Sequence, residues 1–132
     1  MRTQIRLTPE DDGEVFVARL TPSQALAVHE ALVFLRSREL GDAVLALQLG
    51  ADRATVDDLV ERLTDDDGRT RDIRFRAQEL HTMHSALTAV APLFLERGRF
   101  SEEPFHQRMG FYRENFDALA LGIVDALTAA RP

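Results

Sequence analysis

The stretch EVFVARLTPSQALAVHEALVFLR, residues 14–36, decides how this chain folds. Its first seven residues alternate, which puts Phe16, Ala18 and Leu20 on one face of an extended strand. Thr21 then offers a capping hydroxyl, Pro22 has the φ of a first helical turn, and Gln24 completes a T-x-x-Q capping box. A half-buried strand therefore feeds directly into a helix, predicted over 22–38. The apolar residues of that helix (Leu26, Val28, Leu32, Val33, Phe34, Leu35) go almost all the way round, so it should be covered on several sides.

Working outward, TQIRL (3–7) reads as a partner strand with Ile5 and Leu7 on the same face. TPEDDG (8–13) supplies the turn residues of a hairpin between the two. DAVLALQL (42–49), closed by Gly50, reads as a short helix, although so brief an apolar run also suits a buried strand. TVDDLVERL (55–63) is a helix with Thr55 and Asp58 as a capping-box pattern and Val56, Leu59, Val60 and Leu63 as its apolar stripe. After the TDDDG turn (64–68), RTRDIRFR (69–76) is a third strand with Ile73 and Phe75 inward.

The segment 77–96 reads as a second long helix with a stripe of Leu80, Met83, Leu87, Val90, Ala91 and Phe94, kinked near 88–92 by Pro92. A last helix, 102–129, opens on Ser101 as cap and Pro104 in its first turn. The expected architecture is one α+β domain over 1–132, a small antiparallel sheet of about three strands packed against long helices.

On the last helix Phe105, Met109, Tyr112, Phe116, Leu119 and Ile123 recur at spacings of 4, 3, 4, 3 and 4, a seam suited to packing along another helix. Two readings follow: the seam packs on its own domain, or it closes a homodimer. VHEAL (28–32) returns as MHSAL (83–87), and at this 55-residue offset 7 of the 32 positions from Gln4 to Leu35 are identical, Asp11-Asp12-Gly13 with Asp66-Asp67-Gly68 among them. A degenerate strand–helix duplication would explain that, but QIRLT reads as strand where its counterpart LVERL reads as helix.

His81 and His84 lie three apart on one helix, and His29 would join them if the two long helices pack together. These three are the candidates for acid–base chemistry or a metal, against the plainer reading of histidines on apolar helix faces. H-E-x-x-H spacing is absent, and the acidic turns lack the glutamate a calcium loop needs, since eleven on from Asp65 stands Arg76. Arg69, Arg71, Arg74 and Arg76 form the one basic concentration in the sequence, able to grip phosphate or to pair with carboxylates, and Arg71, Arg74 and Arg76 are the binding candidates. No G-x-S-x-G and no glycine-rich phosphate loop occurs.

Zero cysteines exclude disulfides and thiolate chemistry. The formal charge of −6 argues against nonspecific binding to nucleic acid or anionic membranes, and no apolar run is long enough to span a bilayer. Together these features predict a cytoplasmic, noncatalytic protein-interaction or regulatory module, a homodimer with a possible further protein partner and no cofactor. The alternatives are a small enzyme using the helix histidines and, more remote, a nucleic-acid binder using the arginines of 69–76.

Overall fold

The computed structural model describes residues 1–38, 41–64 and 67–130. β1 (Arg6–Glu10), β2 (Val15–Leu20) and β3 (Arg71–Arg76) form an antiparallel sheet in the order β1-β2-β3. α1 (Pro22–Arg36) leaves β2 directly and packs on α3 (Arg53–Leu63) and α4 (Ala77–Ala89), with α5 (Glu102–Met109) and β2 also against it. α2 (Asp42–Leu49) and α6 (Arg113–Ala129) flank α4. The fold is α+β, and α1 is covered on several sides but not all round: Ala27, Val28, Ala31 and Leu32 have essentially no exposed surface, Val33 and Phe34 are half-buried, and Leu26 is 47% exposed. Each such aliphatic side chain larger than alanine contributes about 1.5–3 kcal/mol of burial.

Ile5, Leu7, Phe16, Ala18, Leu20 and Phe75 are buried on the helix side of the sheet, as the alternation predicts, and Ile73 packs against them half-buried. β1 begins at Arg6, three residues later than expected. The reason lies in Gln24: its Nε2 donates to the carbonyls of Arg2 and Gln4, both at 2.9 Å, so these groups are tied to α1. The strand also runs through Pro9 to Glu10, and a proline is tolerated there because β1 is an edge strand.

The capping box of α1 forms as read, with Gln24 N donating to Thr21 Oγ1 (3.2 Å) and Thr21 N to Gln24 Oε1 (2.9 Å). Segment 42–49 is the helix α2. α3 starts earlier than predicted because Asp52, and not Thr55, is its cap: the Thr55 N–H donates to Asp52 Oδ1 at 2.8 Å. A hydrogen bond from the Thr55 side chain, together with this one from its N–H, holds the Asp52 carboxyl below its ordinary pKa. Asp65 and Asp66 of the acidic turn, with Glu39 and Leu40, lie outside the described residues.

Two predicted long helices are broken. α4 stops at Ala89 instead of kinking. Pro92 sits in a separate 3₁₀ turn, Ala91–Phe94, and the chain then forms a hairpin of β4 (Leu95–Glu96) and β5 (Arg99–Phe100). Its two-residue turn, Arg97-Gly98, takes positive φ at both positions (52° and 77°), as a tight hairpin of this hand requires. The segment 102–129 divides at Gly110, whose φ of 77° ends α5; Tyr112 N then donates to Asn115 Oδ1 (3.0 Å) at the start of α6. In one continuous helix Phe105 and Phe116 would stand about 16 Å apart along the axis. Here their rings meet edge to face at 5.3 Å.

The break also places the seam. Phe105, Met109, Phe116, Leu119 and Ile123 are at most 3% exposed within the single chain, and only Tyr112, at 48%, faces outward. The seam packs on its own domain, and the dimer expected along it has no surface there. At the 55-residue offset the local structure repeats for one strand–helix unit. Thr21 and Arg76 are both N-caps whose N–H donates to the side chain three residues on, Gln24 and Glu79. Val28 and Met83, Ala31 and Ala86, and Leu32 and Leu87 are buried at equivalent positions. The segments before them, β1 and α3, do not correspond.

Candidate functional site

The candidate histidines lie on α1 and α4. His29, half-buried on α1, keeps its Nδ1 3.6 Å from Glu30 Oε1 with no hydrogen-bond partner. His84 is half-buried on α4, while His81 is exposed, its Nε2 3.5 Å from Ser85 Oγ. Among the described residues no three His, Asp or Glu side chains come together as a ligand set, at His81 and His84 or elsewhere.

The basic run separates by strand parity. Arg71 points to the helix side and donates to the last carbonyls of α3, Arg62 O (3.4 Å) and Leu63 O (3.3 Å), where a cation also complements the helix dipole. Arg74 lies on the open face and is held by Glu10 at 3.0 and 3.4 Å, which raises its pKa further. Arg76 is exposed beside a small hollow of about 530 Å³. Arg62 fills one wall of that hollow and is fully engaged: it donates to Asp58, Glu79 and the Arg74 carbonyl, and lies 5.2 Å over the Phe75 ring. Within the basic run, Arg71 is thus spent on the end of α3 and Arg74 on Glu10 of β1.

A larger feature lies elsewhere. A groove of about 1090 Å³ runs between α6 and the N-terminal segment, along the start of β1. Residues 2–7 line it consecutively, together with Arg19 of β2 and Thr70 just before β3, so the groove lies at the end of the sheet where β1 begins and β2 ends. Its helical wall is the small-residue side of α6, where Ala118, Gly122 and Ala126 recur every four residues. Gly122 is required by the closeness of the two walls: a Cβ there would stand 2.3 Å from the Thr3 carbonyl oxygen. Leu121, 59% exposed, gives the groove its largest accessible apolar side chain on α6.

The charged lining is Arg2, Arg6 and Arg19 against the single carboxylate of Asp125. Arg19 pairs with Asp72 at 3.2 Å, whereas the exposed side chains of Arg2 and Arg6 make no hydrogen bond or ion pair among the described residues. None of these residues stands in a sequence cluster, so reading along the chain misses them. The one legible signal was the spacing Ala118-x-x-x-Gly122-x-x-x-Ala126, which permits close approach of another backbone. Comparison with family models, with curated proteins and with solved structures found no match for this chain.

Proposed function

We propose that the protein is a noncatalytic interaction module, and that a segment of a protein partner docks in the groove between α6 and residues 2–7. The observation that carries this reading is the groove itself: an accessible apolar wall around Leu121 faces polar and main-chain groups of the N-terminal segment. At about 1090 Å³ it stands at the upper end of the span of small-molecule pockets, with room for a short stretch of polypeptide.

Display selection of random peptides on the immobilised protein tests the reading. Peptides enriched on the native chain should lose most of their binding on a Leu121→Gln, Ala129→Gln variant, because both positions are exposed and line the groove. Equal binding to both proteins would remove the groove as the docking site.

A further inference from the structure

We infer that the groove selects an acidic segment, a stretch of Asp or Glu interspersed with small apolar residues. The inference rests on the docking reading and adds the chemistry of the occupant. Carboxylates outnumber arginines 22 to 16 in the chain, so an exposed arginine has abundant opposite charge to pair with. Among the described residues Arg2 and Arg6 nevertheless stand without a partner, and both line the groove. Arg19 also lines the groove but is paired with Asp72, so Arg2 and Arg6 carry the local excess of positive charge over the single lining carboxylate, Asp125, against the chain's overall −6. Guanidinium groups bind carboxylates through paired N–H donors, and positive charge beside an apolar wall matches a segment carrying both features.

A nucleic acid fits less well. No aromatic side chain lines the groove to stack a base, and the acidic body of the protein repels an extended polyanion. A short acidic peptide feels the same body, but it gains apolar contact along Ala118, Leu121 and Ala126 in compensation.

Fluorescence anisotropy with three labelled probe peptides decides the matter: a Glu/Ala/Leu sequence, its counterpart with Gln at every Glu, and its counterpart with Lys. The acidic peptide should bind most tightly, and raising the salt concentration should weaken it, because exposed charges are screened. Arg2→Gln and Arg6→Gln should each weaken the acidic peptide about two- to fivefold, the range for exposed ion pairs, and leave the Gln peptide unchanged. Both positions are exposed and unpaired, so folding should be unaffected, which circular dichroism checks. Equal binding of acidic and Gln peptides, failure of the acidic peptide to bind, or tighter binding of single-stranded oligo-dT overturns the inference. The docking reading falls separately, if Leu121→Gln, Ala129→Gln leaves the binding of the display-selected peptides untouched.

Discussion

Gln24 performs three tasks with one carboxamide. Its oxygen closes the capping box of α1, while its nitrogen ties down the carbonyls of Arg2 and Gln4. Gln24→Glu separates them, because a carboxylate still accepts from Thr21 N–H but has nothing to donate to the two carbonyls. The variant should keep α1 and release residues 1–5, read as faster amide exchange confined to that segment; uniform loss of protection would refute the separation. Gly122→Ala attacks the same contact from α6. With only 2.3 Å to the Thr3 oxygen, the segment must move, at about 1–3 kcal/mol for overpacking. Urea denaturation measures the loss, and an unchanged midpoint would show that the walls yield freely. Asp52 supplies a pH-dependent contribution. Its carboxyl is lowered by hydrogen bonds from the Thr55 side chain and N–H, so its stabilisation is complete above the ordinary carboxylate pKa near 3.9 and disappears as pH falls through the folded value. Asp52→Asn should flatten that part of the acid-unfolding curve while retaining the cap.

At the scale of elements, both long-helix expectations failed for the same kind of reason. Periodicity continued through Pro92 and Gly110, yet the chain changed direction at each. Pro92 denies a backbone donor to Thr88, and the buried stripe is served equally well when Ala91 and Phe94 reach the core from a 3₁₀ turn. Gly110 adopts a left-handed conformation that costs an L-residue about 1–2 kcal/mol, and this turn brings Phe105 against Phe116. Gly110→Ala should therefore destabilise the fold by about that amount without raising helical ellipticity. A gain in ellipticity would mean that 102–129 fuses into one helix.

At the scale of the molecule, the seam and the groove exchange roles. A six-residue apolar repeat looked like a surface for a second copy, but five of its members are the core of this chain. Phe116→Ala should cost about 3–5 kcal/mol, a large share of a domain's stability, and should unfold the protein. Sedimentation would find the mass of the folded fraction unchanged; a folded protein with halved mass would restore the seam as an interface. The binding candidates of 69–76 moved in the opposite direction, since Arg71 and Arg74 turn out to be engaged with α3 and with Glu10.

The sequence by itself determined the α+β class, the three strands and their inward faces, the capped entry to α1, and the core stripes of α3 and α4. These are local matters, fixed by alternation, helical spacing and caps that act within a few residues. Only the tertiary structure decided whether Phe105 to Ile123 faced a partner or a neighbour, because a periodic stripe records that something covers it and not what. The groove was likewise invisible: strand pairing sets Arg6 beside Arg19, Gln24 ties down the segment that carries Arg2, and Gly122 reaches Thr3 across more than a hundred residues of chain. Such a site depends on how distant segments pack, and no local spacing encodes it.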